Sequence, residues 1–225
     1  MIKIPVLTID GPSGSGKGTV GKIIAAKLGW HFLDSGAMYR ILGFAALQQD
    51  KSLDDEKQLV KLLHALHIQF DDQIFLNGKD ITNKIRTEEV GRAASEVAKW
   101  SKVREALLAA QRNFQKPPGL VADGRDMGTV VFPNASCKIF LEASAEERAH
   151  RRYCQLREQG NDANLSAILQ DLKTRDERDR SRIIAPLIPA ADAKVIDTTL
   201  LSIDEVVVKI LQYLGPLGNF NSPCC

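Results

Sequence analysis

Residues Gly11 to Thr19 read GPSGSGKGT. This G-x-x-x-x-G-K run lies directly after the apolar stretch IPVLTID and directly before a helical pattern. Glycines let a backbone fold tightly enough for several N–H groups to point inward at phosphate oxygens. A helix that starts at the end of such a loop adds positive potential. The pattern assigns Gly11, Pro12, Ser13, Gly14, Ser15, Gly16, Lys17, Gly18 and Thr19 to the phosphates of a nucleoside triphosphate. Lys17 is placed to reach the β- and γ-phosphates. The usual pattern has Ser or Thr directly after the lysine, whereas here Gly18 intervenes before Thr19. A Mg²⁺ ion carried by the nucleotide must then lean on water, on the nucleotide or on another side chain.

A phosphate loop does not say what is phosphorylated. A kinase acting on a second anion needs arginines from several separate elements, because Arg binds phosphate in a bidentate fork. LDSGAMYR offers Asp34, Ser35, Tyr39 and Arg40, and ADGRDMGT offers Asp123, Arg125 and Asp126. RDERDRSR, from Arg175 to Arg182, packs four arginines and three acids into eight residues. On a helical wheel at ~100° per residue, Arg175, Arg178, Asp179 and Arg182 fall on one face. Asp176, Glu177 and Arg180 point elsewhere, so Arg180 is expected to be dispensable. In EERAHRR, Arg148, Arg151 and Arg152 also share a face. They read either as a basic surface stripe paired with Glu146 and Glu147 or as contacts to the triphosphate. Other residues have bland readings too. Asp34 and Asp126 suit helix caps, Ser95 suits a small packed helix position, and Arg104 suits a solvated one. Tyr39 reads as a packing or hydrogen-bonding residue. His31, His64, His67 and His150 have no partner pattern.

The elements that must position these groups alternate. IPVLTID reads as a buried strand, Thr19–Leu28 as a helix closed by Gly29, and WHFLDS as a second strand. Helical patterns cover 36–49 and 53–66. HIQFDDQIFLNGKDIT then alternates around Asn77-Gly78, which predicts a small antiparallel insertion at about 67–82. Helical periodicity returns over 87–115, with a break expected near Trp100-Ser101. GLVADGR, CKIFLEA and AKVIDTT are further strands. A charged helical region spans 145–182, interrupted by EQGNDANL, and Ser202 with Glu205 forms a capping box for a last helix. Strands alternating with helices predict a parallel sheet with helices on both faces. Arg125 and Asp126 would follow a strand's carboxyl end, where open α/β sheets bind ligands.

Composition excludes several classes. The chain has 225 residues, 44% hydrophobic and 26% charged, with a net charge of +2, which suits a globular α/β domain rather than a nucleic-acid polymer binder. No apolar run approaches the ~18 residues of a membrane span, and the N-terminus has no signal-peptide pattern. Cys137, Cys154, Cys224 and Cys225 form no C-x-x-C pair, so reduced thiols and no metal site are expected. The final SPCC reads as a frayed tail; prenylation lacks a preceding polybasic stretch. A GTP-dependent switch would need Asn-Lys-x-Asp late in the chain, but Asn83-Lys84 is followed by Ile85-Arg86.

IDGPSGSGKGT, LDSGAMYR, ADGRDMGTVVFP and RDERDRSR followed by APL, in this order and spacing, closely resemble the bacterial cytidylate kinase family. The resemblance runs from Ile2 to about Tyr213. It implies an α/β, three-layer P-loop kinase fold: a central parallel sheet, a small antiparallel insertion in the monophosphate-binding region, and a short helical lid. One domain is expected, with its core at about 1–35, 117–155 and 185–214. The monophosphate region would span about 36–116, the lid about 156–184 and the tail 215–225. The implied reaction is transfer of the γ-phosphate of ATP to CMP or dCMP, with Mg²⁺; another nucleoside-monophosphate kinase, using UMP or AMP, is the alternative. The family's monophosphate positions match Ser35, Arg40, Ser95, Arg104, Arg125, Asp126, Arg175, Asp179 and Arg182. Ser95 and Arg125-Asp126 are implied to read the base and sugar edge, while Arg40, Arg125 and the later arginines hold the α-phosphate. Asp179 and Arg182 are implied to touch the sugar hydroxyls. Lys17, Arg125, Arg178 and Arg182 are the expected catalytic groups. A cytoplasmic monomer acting on small molecules, without nucleic-acid or membrane partners, is expected.

Overall fold

The structure, a computed structural model, describes residues 4–70, 73–158, 160 and 162–215. The expected tail with Cys224-Cys225 lies outside the described residues, as do Asp71-Asp72 of the insertion and Gln159 and Asn161 of the charged region. The chain begins with β1 (Val6–Asp10), α1 (Lys17–Leu28), β2 (His31–Asp34), α2 (Ser35–Gln48) and α3 (Glu56–His64). Three short strands follow, β3 (Ile68–Phe70), β4 (Ile74–Leu76) and β5 (Lys79–Asp80), and then a 3-10 turn at Lys84–Arg86. Next come α4 (Glu88–Val97), α5 (Ser101–Arg112), β6 (Leu120–Gly124) and a π-helical turn at Met127–Val131. The chain continues through β7 (Cys137–Glu142), α6 (Ala145–Glu158), α7 (Leu165–Ser181), β8 (Lys194–Asp197) and α8 (Ile203–Leu214). It divides into two compact units, one of Met1–Asp34 with Arg112–Cys225 and one of Ser35–Gln111.

The first unit is built on a five-stranded parallel sheet in the order β2-β6-β1-β7-β8. β1 and β6 are buried at every position, which is why their sequences run apolar rather than alternating. Leu7, Ile9, Val121, Ile139, Leu141 and Ile196 form one core cluster with the apolar stripes of α1 and α8. Thr8 and Asp10 alternate with Leu7 and Ile9, and so meet the Met127–Val131 turn instead. β2 and β6 lie on one side of β1, and β7 and β8 on the other, so the carboxyl end of β1 is a topological switch point. α6 and α7 carry their own small core of Ala149, Ile168 and Leu172, flanked by Tyr153, Leu156 and Leu169.

Helix starts follow side-chain caps. Asp55 accepts Gln58 N–H at 3.0 Å, so α3 starts at Glu56 rather than at the expected residue 53. Ser202 and Glu205 complete the capping box of α8. The expected helix over 87–115 is two helices, parted at 98–100; Glu56 accepts Lys102 N–H at 2.8 Å at the start of α5. The insertion is a three-stranded antiparallel sheet. Asn77 and Gly78 join β4 to β5 with φ of 49° and 76°, the positive pair that a tight two-residue hairpin turn requires. Among the described residues no helix is long and apolar enough to cross a membrane, and Cys137 and Cys154 are free thiols.

Candidate active site

The phosphate loop fills the space between β1 and α1. Gly11 has φ 148°, and a Cβ there would run into the carbonyl oxygen of Leu141 on β7. Only glycine fits this approach of two backbones. α1 begins at Lys17, two residues before the expected Thr19, directly after Gly16 at φ 91°. Its start has no side-chain cap and no acid in the first turn. By contrast α3, α4, α7 and α8 take caps from Asp55, Thr87, Asn164 and Ser202. A helix N-terminus without a side-chain acceptor, preceded by a glycine loop, is an anion site.

Lys17 Nζ donates to Pro12 O at 2.6 Å and to Ser15 Oγ at 3.3 Å, so its ammonium lies along the loop. Burial pushes its pKa from 10.5 down to about 7, with Arg125 and Arg148 adding to the shift and Asp123 and Asp10 opposing it. The same burial acts oppositely on two acids at strand ends. Asp123, the fourth residue of β6, is raised to about 6, against the pull of Lys17. Asp10, the last residue of β1, is raised to about 7, although Gly128 and Met127 N–H groups both donate to it at 2.8 Å. Asp123 faces Gly18: its Oδ2 lies 3.3 Å from where a Cβ at Gly18 would stand. A carboxylate thus occupies the neighbourhood in which the usual loop presents a hydroxyl.

The structure brings Arg125, Asp179 and Arg182 together. Arg125 Nε donates to Asp179 Oδ2 at 3.0 Å, and Arg182 Nη2 stands 3.4 Å from Asp179 Oδ1. Arg175, Asp179 and Arg182 are buried, Arg178 is half-buried and Arg180 is exposed. The wheel sorted α7 correctly up to Ser181, but Arg182 is not helical. It is the C-cap, with ψ 132°, and turns inward so that its Nε donates to Asp179 O at 3.3 Å.

The shared face of Arg148, Arg151 and Arg152 does not behave as one stripe. Arg148 is 3% exposed and donates to Ser13 O at 2.9 Å, to Ala143 O at 3.0 Å and to Asp176. It therefore ties the phosphate loop to α6 and α7. Arg151 pairs with Glu147 at 2.8 Å and reaches Thr198, whose Oγ1 in turn donates to Ser15 O at 3.3 Å. Arg152 donates to Gln155, and Glu146 pairs with Lys173 instead of an arginine. Sequence reasoning missed the supports Asp10, Asp176 and Thr198. The one available signal was for Asp10, the only acid in IPVLTID.

In the second unit, Ser35 is buried at the start of α2. Arg40 donates to Ile85 O at 2.9 Å and Thr87 O at 3.3 Å, beside the start of α4. Arg104 is buried rather than solvated: its guanidinium lies 5.5 Å from the Tyr39 ring centre and donates to Ala98 O at 3.2 Å. Ser95 is buried on α4 among Gly91, Ala93 and Ala94. The π-helical turn takes no side-chain cap from Asp126, so capping does not account for that residue.

A sequence profile described as Cytidylate kinase matches residues 7–215. Curated relatives named cytidylate kinase are similar over nearly the whole chain. The Aeromonas hydrophila protein is 58% identical over 214 residues, 93% of each chain. The Colwellia psychrerythraea protein is 57% identical and the Klebsiella pneumoniae protein 55% identical, each over 215 residues, covering 93% of this chain and 95% of the relative.

Proposed function

The chain belongs to the cytidylate kinase family, and on that footing we propose that it transfers the γ-phosphate of ATP to CMP and dCMP, giving CDP and dCDP. The observation that carries the donor half of this reading is the α1 start, a glycine loop ending in an uncapped helix with Lys17 folded along it; the acceptor half rests on the family. The acceptor is already an anionic phosphate oxygen, so no general base is required. The residues therefore work by positioning and charge stabilisation. The loop amides and Lys17 hold the triphosphate. Arg125, Arg178 and Arg182 offset the repulsion between two polyanions, and an arginine in that role is worth on the order of 10³ to 10⁵ in rate.

The proposed monophosphate positions are Ser35, Arg40, Ser95, Arg104, Arg125, Asp126, Arg175, Asp179 and Arg182. The buried Arg104 on the Tyr39 face supports a recognition role over a solvated one. The Arg125–Asp179–Arg182 cluster supports α7 as the closing lid, with Asp179 holding both arginines until substrate arrives. Among the described residues no cluster of three or more His, Cys, Asp or Glu is placed to hold a metal by itself. Asp123 is the residue that would hold a Mg²⁺ ion brought by the nucleotide, because its buried carboxylate faces Gly18 where the usual hydroxyl is lacking. The ion would supply charge neutralisation on the phosphates.

A coupled assay with ATP and each of CMP, dCMP, UMP, AMP and GMP tests the reading. CMP and dCMP should be the fast acceptors. Equal rates on AMP or UMP would return the chain to the wider nucleoside-monophosphate kinase class.

A further inference from the structure

The turn at Met127–Val131 directly follows Arg125-Asp126, yet it carries no chemistry of its own. What holds it is unusual. At its start, both Met127 N–H and Gly128 N–H donate at 2.8 Å to the carboxylate of Asp10, which is 4% exposed. At its end, Arg112 donates to Val131 O at 2.9 Å through Nε and to Val130 O at 3.2 Å through Nη2. An acid caps the amides and a base caps the carbonyls, the arrangement that a helical dipole favours. Neither residue belongs to the turn, and Asp126, in the N-cap position, makes no side-chain capping bond. The fit is tight: a Cβ at Gly128 would stand 3.0 Å from Thr8 Oγ1 and 3.3 Å from Asp10 Oδ2.

We propose that Asp10 and Arg112 are positioning residues that clamp this turn at both ends, fixing Arg125 and Asp126 for the monophosphate. The bidentate carboxylate is needed because two amides must be satisfied at once; an amide side chain at position 10 has one acceptor oxygen and would set an NH₂ against the other N–H. Asp10 also adjoins Gly11 of the phosphate loop and its charge makes a minor contribution in favour of the Lys17 ammonium, but its hydrogen bonds go to the turn. Its loss should therefore fall on the CMP side of the reaction rather than the ATP side. This rests on the assignment of Asp126 to the monophosphate.

The test is steady-state kinetics of Asp10→Asn, Arg112→Ala and Asp126→Asn, varying CMP and ATP separately. Asp10→Asn should raise KM for CMP about tenfold and Arg112→Ala about threefold, each with KM for ATP within about twofold. A rise in both constants together, or in ATP alone, places Asp10 with the phosphate loop and overturns the proposal. No change for Asp10→Asn while Asp126→Asn raises KM for CMP overturns it as well. No effect of Asp126→Asn means that the substrate assignment has failed, and the clamp's purpose with it. Should Asp10→Asn not fold, Arg112→Ala decides by the same split: a selective rise supports the clamp, and unchanged kinetics refute it.

Discussion

Helix α8 opens on Ser202, whose hydroxyl accepts Glu205 N–H while Glu205 accepts the Ser202 N–H at 2.8 Å. Helix α1 opens on Gly16, with no side-chain cap and no acid in its first turn. Both pack against the same apolar cluster of the sheet, so burial cannot explain the difference. α8 satisfies its amides itself, and its start is a stability device. α1 leaves its amides without a side-chain acceptor, the condition that the proposed phosphate site requires, since a cap there would compete with an anion. Within one unit, the missing cap sets the proposed phosphate site apart from a helix start that satisfies itself.

The contrast breaks most sharply at Lys17. Lys17→Met should lower kcat by about 10³ or more, roughly 4 kcal/mol of transition-state stabilisation. The melting temperature should hold or rise, since the buried ammonium already pays a desolvation cost that methionine lacks. Retention of more than about a tenth of the wild-type rate would contradict the role given to Lys17. Next comes Arg182→Ala, which should cost tenfold or more in activity, about 1.4 kcal/mol. Its melting temperature should barely move, because Arg125 still pairs with Asp179; unchanged kinetics would make Arg182 a packing residue.

Ser202→Ala tests the other side of the comparison. Losing the cap should cost ~1 kcal/mol of stability, or about 2–4 °C in melting temperature for a chain of this size. Activity should stay within about twofold; a large loss of kcat would mean that α8's start is not merely structural. Arg180→Ala should do least. The side chain is exposed on α7, so neither rate nor melting temperature should change measurably. A loss comparable to that of Arg182→Ala would mean that inward and outward arginines are not distinct.

Much of this was legible in the sequence because it rests on local rules. GPSGSGKGT dictates a tight loop wherever it stands, and Asn77-Gly78 dictates a hairpin turn. Of the face read as Arg175, Arg178, Asp179 and Arg182, helical period accounts for the buried Arg175 and Asp179 and the half-buried Arg178, with Glu177 and Arg180 exposed. What failed was extrapolation past a helix end: α7 stops at Ser181, and Arg182 turns inward through an extended backbone. Boundaries also moved where a cap outvoted periodicity, as at Asp55. EERAHRR misled for a different reason. A wheel shows which residues share a face but not what that face meets, and Arg148 meets Ser13 O and Asp176.

By itself the sequence determined the glycine loop ahead of α1 and which arginines of α7 face together, because loop glycines and helical period act over a few residues. Only the tertiary structure decided which buried charges support them. Asp10 and Met127 are 117 positions apart, and Arg148 and Ser13 are 135 apart. No local pattern can carry such pairings. They arise when parallel strands bring their carboxyl ends to one edge, and burial there favours polar groups that pair.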